Sequence, residues 1–157
     1  MPKIRAVINS DKVVNKQRQL LYKNSLRQLK KAISEEYYLE AIALLDSLIA
    51  DRLESRIGEL TNKNVQFNPL GKLCKDLLRV ENMHAIIEII EKEIIPWVKT
   101  RNISIHESVK IEAGKDKLWE KFCEDKKSSG EDGYKIFRKL DYQILKQRRN
   151  NLIPSQI

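Results

Sequence analysis

Apolar positions along the chain fall into stretches of helical period, separated by short polar clusters. Val13, Val14, Leu20, Leu21, Leu26, Leu29 and Ile33 recur at roughly helical spacing among Lys, Arg and Gln. They predict a first helix that opens at a cap on Ser10 or Asp11 and runs to Ala32 or Ile33. Ser34, ahead of Glu35 and Glu36, reads as the start of a second helix, because a cap residue precedes two acids in the first turn. Between Tyr37 and Leu60 the only helix breaker is Gly58, and Tyr38, Ala41, Ile42, Leu45, Leu48, Ile49, Leu53 and Ile57 form a stripe. Leu39, Ala43 and Leu44 widen that stripe until the first half is apolar nearly all round, the pattern of a central helix. Residues 51–56 are laced with charge and are expected at the surface. Asp46 interrupts the apolar half; it is read as a helix-surface acid, with orientation of an Arg on a facing helix as the alternative.

A turn cluster at 61–64 follows. Asn68 and Pro69 then supply a cap and a first helical residue. The short helix they open should reach Arg79, with Leu70, Leu73, Leu77 and Leu78 inward. The next stretch begins at Glu81 or Asn82 and places Met83, Ile86, Ile87, Ile90, Ile94 and Ile95 on one face. So many isoleucines also suit a strand, but the length and the opposing Glu88, Glu91, Lys92 and Glu93 favour a helix. Pro96 should break or kink it, leaving 97–106 as the last turns of a kinked helix or as a new one. Beyond it, 108–111 could be extended, Gly114 marks a turn, and 116–126 reads as a short helix carrying Leu118, Trp119, Phe122 and Cys123. Residues 127–133 have the composition of a flexible loop, and 134–150 form a closing helix ending in Lys146, Gln147, Arg148 and Arg149. The sum is an all-α domain of about five to six helices spanning 1–157, with 1–10 and 151–157 as flexible tails.

Composition narrows this further. Five glycines and four prolines are too few for the turns of an all-β domain, and 41% hydrophobic with 33% charged residues excludes a disordered chain. No apolar run approaches the ~18 residues of a membrane span, and no secretory leader is visible, so a cytoplasmic protein is expected. Cys74 and Cys123 lie far apart with no metal-ligand spacing toward His84 or His106, which predicts reduced thiols and no bound metal. A net charge of +8 favours polyanionic partners, nucleic acid first. Lys16, Arg18, Lys23, Arg27, Lys30 and Lys31 make the outer face of the first helix basic, which is read as a solvated face before an RNA track.

The chemistry concentrates at 96–107. Arg101, Asn102 and His106 are its useful polar groups, and Trp97, Val98, Ile103 and Ile105 can anchor them. A fixed guanidinium can neutralise charge developing on phosphorus, and an imidazole can move a proton near neutral pH. Arg79 and His84 share the same spacing, so spacing alone is not specific; His84 is read as a structural or surface residue. On a straight helix, positions five apart lie about 140° from one another. Arg101 and His106 therefore need a bend, a frayed end, a wrapped Arg side chain or a second subunit to act together.

Arg101-Asn102 followed by His106, with Trp97 one turn earlier and an Ile-rich helix before it, resembles the Arg-polar-x-x-x-His motif of HEPN domains. These are small all-helical domains, many of them ribonucleases of prokaryotic toxin–antitoxin and phage-defence systems. The likeness covers 34–150 by pattern. It implies a HEPN-like helical bundle and a homodimer whose composite cleft carries two Arg and two His. It further implies metal-independent RNA cleavage without a cofactor. His106 would activate the ribose 2′-OH or protonate the leaving oxygen, Arg101 would hold the phosphate, and Asn102 would position RNA or fix the His. Lys99, Lys110, Arg148 and Arg149 would contact RNA, and an antitoxin protein would be a further partner. Some HEPN toxins carry a modifiable Tyr two residues after the His; Ser108 stands there in this chain, so control by that route is not expected. The alternatives are a HEPN-like module that binds RNA or protein without cutting, and an unrelated helical nucleic-acid-binding or adaptor protein.

Overall fold

The second helix is the axis of the structure. In the computed structural model, which describes residues 1, 3–5, 12–107, 110–111, 113–116 and 118–152, α2 (Tyr38–Thr61) buries Ala41, Ile42, Leu45, Ile49 and Leu53 completely. It packs most extensively against α6 (Trp119–Leu152), then against α1 (Lys12–Ser34) and α3 (Leu70–Leu78). Phe137, Leu140 and Ile144 of α6, Leu29 and Ala32 of α1, and Leu73, Cys74 and Leu77 of α3 complete one core with Ile86, Ile90, Ile94 and Trp97. Each Leu, Ile or Phe among them contributes roughly 1.5–3 kcal/mol when fully removed from water. The all-α bundle predicted from periodicity is the one observed; among the described residues the only β pairing is one isolated antiparallel bridge, Ile4 to Gln66.

Four local expectations are corrected. Ser34 closes α1 and does not cap α2; its hydroxyl donates to Lys31 O at 2.9 Å. Glu36 adopts a left-handed φ of 62°, Tyr37 N–H donates to Ala32 O at 2.8 Å, and Glu36 N–H donates to Ile33 O at 3.2 Å. That pair of bonds is a Schellman ending, with a glutamate where glycine is the cheapest residue. At α3 the cap position falls on Pro69, one residue later than expected, and the Asn68 amide donates instead to Gln66 O.

Next, 51–56 does not lie at the surface. Leu53, Glu54, Ser55 and Arg56 are buried. The charges survive there because they are paired. Arg56 forms a fork with Glu81 at 2.7 and 2.9 Å, Arg52 meets Asp141 at 2.7 Å, and Arg5 meets Asp51 at 2.8 Å. Glu81 also accepts from the backbone N–H groups of Asn82 and Met83 ahead of α4. Burial alone would raise its pKa, but the bonds from Arg56 and from those two N–H groups hold it below the ordinary glutamate value.

The last correction is the largest. The predicted short helix at 116–126, the loop at 127–133 and the closing helix are one continuous α6. Its two internal glycines are contact points, not hinges. A Cβ on Gly133 would stand 2.7 Å from Trp97 Cζ2, and one on Gly130 would stand 3.0 Å from Tyr38 Cδ1. Glycine in a helix costs about 1 kcal/mol, and seating a tryptophan that is 4% exposed outweighs that cost. The turn at Gly114 is present, with φ 78°. Positions 108 and 109 of the stretch expected to be extended, 6–11 with the predicted first cap, and 153–157 of the C-terminal tail lie outside the described residues.

Candidate functional site

The site helix is reached without a break. α4 (His84–Ile89) runs through a π turn (Ile90–Ile94) into α5 (Ile95–His106). Proline has no N–H to donate, and in a regular α-helix its ring meets the carbonyl four residues back. The wider turn, closed by the Ile95 N–H bond to Ile90 O, sits immediately before Pro96 and carries the chain past it. Helix geometry is therefore regular from Ile95 through His106, and the motif contains no bend.

Regular geometry sorts the motif residues by direction. Trp97 and Ser104 are buried, and Arg101 lies on the same inward side. Trp97 is fixed by its Nε1–H, which donates to Ser129 O of α6 at 2.8 Å. One turn on, Arg101 reaches α2, where its Nη2 lies 2.5 Å from Asp46 Oδ1, with side-chain exposures of 12% and 33%. Its Nη1 donates to Asn102 Oδ1 at 2.8 Å, and its buried Nε has no partner. Burial raises the Asp46 carboxyl above the ordinary aspartate value, and the attraction and hydrogen bond of Arg101 offset only part of that shift. Asp46 is thus the orienting acid, not the surface one. It is the residue that sequence reasoning ranked too low. The signal was its isolation as a carboxylate in the apolar half of α2.

His106 ends α5 on the opposite side, exposed. No hydrogen bond or ion pair holds its side chain among the described residues. Lys99, Asn102 and Ile103 share its outward face, all exposed, and Ile103 is 51% exposed. Within one chain, Arg101 and His106 do not converge. Asn102 is the link between them: it shares the outward face of His106 while its amide oxygen holds the Arg101 guanidinium.

Among the RNA-contact candidates, Lys99 and Arg149 are exposed. Lys110 is exposed too, on the segment after α5, where its N–H donates to Glu107 O at 3.1 Å. Arg148 is turned back on α2, where it donates to Ser55 Oγ at 2.8 Å and pairs with Glu59. Its guanidinium ties α6 to α2, so the expected phosphate contact is not open to it in this arrangement. Arg79 and His84 are surface residues paired with Asp76 and Glu88, with His84 91% exposed. Lys16, Lys23, Arg27, Lys30 and Lys31 are exposed along α1. Cys74 is a free, buried thiol whose pKa burial pushes up to about 12, and Cys123 is a free, half-buried thiol. The described residues contain no group of three or more His, Cys, Asp or Glu that could hold a metal ion, and no helix long and apolar enough to cross a membrane.

No family model, curated protein or solved structure matches the chain.

Proposed function

We propose that the protein is a metal-independent endoribonuclease of the HEPN kind, with a site completed by a second copy of the chain. One observation carries this reading. Asp46 on α2 orients Arg101, Asn102 joins Arg101 to the outward face, and His106 stands exposed at the end of the same helix. An oriented guanidinium suits a phosphate, and a solvent-facing imidazole suits proton transfer. Rotation of about 140° between them is resolved if two α5 helices meet, so that one subunit's His serves the phosphate held at the other's Arg. Exposed Ile103, flanked by Lys99 and His106, gives that meeting an apolar contact with cations around it. The net charge of +8 supports a polyanionic substrate. A role as a toxin or phage-defence effector, with an antitoxin partner, follows the same resemblance.

A second reading has its own observation. Two of the three nitrogens of Arg101 are already engaged, by Asp46 and Asn102, and Arg148 is engaged by Glu59 and Ser55. That arrangement suits a HEPN-like module that binds RNA or a protein without cutting it. RNA cleavage in EDTA by the parent and by His106→Ala separates the two. Cleavage by the parent that the substitution abolishes supports the nuclease. Equal RNA binding by both with cleavage by neither supports the binding module.

A further inference from the structure

A hollow of about 370 Å³ opens between the π turn and α5 on one side and α6 on the other. Pro96, Trp97 and Thr100 of α5 line it. Three lysines stand around it, Lys92 from the π turn and Lys135 and Lys139 from α6. Their side chains are 69%, 68% and 57% exposed, so the ammonium groups reach the opening. Ser129 also lines the hollow; it is 2% exposed, and its hydroxyl has no hydrogen-bond partner. That oxygen is closed off from solvent, and Glu93 and Asp132 line the hollow beside the lysines.

Carboxylates now hold these lysines. Lys139 meets Glu93 at 2.8 Å, Lys135 meets Asp132 at 3.3 Å, and Lys92 meets Glu88 at 2.5 Å. Pairs this exposed are screened by water and hold their partners only weakly, so a phosphate can recruit the lysines at little cost. The hollow lies to one side of the face that carries His106. Pro96 and Thr100 adjoin Ile103 and Lys99 around α5, and Pro96 lies about 15 Å along the helix axis from His106. That distance is the span of a few nucleotides.

We propose that this hollow is a backbone-phosphate subsite for single-stranded RNA, a few nucleotides away from the bond cut at His106. Lys135, Lys139 and Lys92 supply both the charge and the hydrogen-bond donors. This rests on the RNA reading above, and it gives that reading a substrate: an extended strand laid along α5, not a compact nucleotide or a duplex. Recognition through phosphates makes the subsite indifferent to base identity.

The test uses a fluorescein-labelled single-stranded RNA of about 20 nucleotides, measured by anisotropy across a salt series in the non-cutting His106→Ala chain. Adding Lys135→Ala and Lys139→Ala should lower the salt slope by about 1.4, the value for two phosphates lost from a single strand. Lys135→Arg with Lys139→Arg should restore it, and thermal melting confirms that each variant folds. An unchanged slope in the alanine pair overturns the subsite, even if the parent cuts RNA. A reduced slope with a parent that does not cut leaves the subsite standing and removes the nuclease. Adenosine monophosphate that competes as strongly as the RNA would also overturn it, because the hollow would then hold a nucleotide and not a strand.

Discussion

Gly133→Ala is the sharpest test of how the site helix is held. The added Cβ would stand 2.7 Å from Trp97 Cζ2 and 2.8 Å from both Cε2 and Nε1, all atoms of one rigid ring. The ring is 4% exposed and cannot swing into solvent without emptying its place in the core. Forcing a methyl into such packing costs about 1–3 kcal/mol. Displacing the indole also threatens its bond to Ser129 O, and a buried donor left unsatisfied costs a further ~1–3 kcal/mol. Against this, alanine improves on glycine in a helix by about 1 kcal/mol. The net expectation is a loss of about 3 kcal/mol, which lowers the melting temperature by roughly 6–12 °C for a chain of this size. Circular-dichroism melts and urea midpoints read it. Gly71→Ala is the matched control. No atom lies within 4 Å of its added Cβ, so only helix propensity acts, and stability should rise by up to about 1 kcal/mol. A Gly133→Ala chain that melts at or above the parent temperature would refute the close seating of Trp97 against α6.

Other substitutions probe the remaining links. Removing the orienting acid with Asp46→Ala should cost about 1.5 kcal/mol, the value of a hydrogen bond to a charged group, and slow RNA cleavage on the order of 10²-fold through misplacement of Arg101. Asp46→Asn, which keeps an acceptor for the Arg101 guanidinium, should lose less stability than Asp46→Ala in the same melt. Glu81→Ala strips the partner from buried Arg56 and should cost about 3–5 kcal/mol in a urea titration near neutral pH. Because the Glu81 pKa is held below its ordinary value, its contribution is complete above pH 4.5 and fades as pH falls through the lowered folded value; the gap between parent and variant should narrow in acid, and a gap that widens would reverse the sign. Glu36→Gly relieves a left-handed residue at the end of α1 and should stabilise the chain by about 1 kcal/mol in a thermal melt.

The all-α class was legible because most apolar stripes have a helical period. α2 was legible as the central helix because Ala41, Ile42, Leu45, Leu48, Ile49 and Leu53 make one long stripe that is buried, although Leu39 and Ala43, expected to widen it, are exposed. Failures came where composition and tertiary contact compete. Residues 127–133 carry two serines and two glycines, a turn composition, yet the glycines are small because Trp97 and Tyr38 press on them. Charges at 51–56 looked solvated because their partners Glu81, Asp141 and Arg5 are distant in sequence. At the site, the inward and outward sides of α5 were predictable from the helical angle, and the outward side of His106 agrees with it. The Asp46–Arg101 pair spans 55 residues, so only a facing-helix argument could suggest it. Arg148 looked like a phosphate contact at a basic helix end, and nothing local reveals that Glu59 and Ser55 hold it.

The central claim is that Arg101 of one subunit and His106 of another make one cutting site. The direct measurement is RNA cleavage in EDTA by Arg101→Ala, by His106→Ala, and by the two mixed after co-refolding, beside the parent. The prediction is an active parent, two inactive single variants, and partial activity in the mixture, because the mixed dimer keeps one intact Arg–His combination. A mixture as inactive as its components, or a parent that leaves RNA uncut, would contradict it.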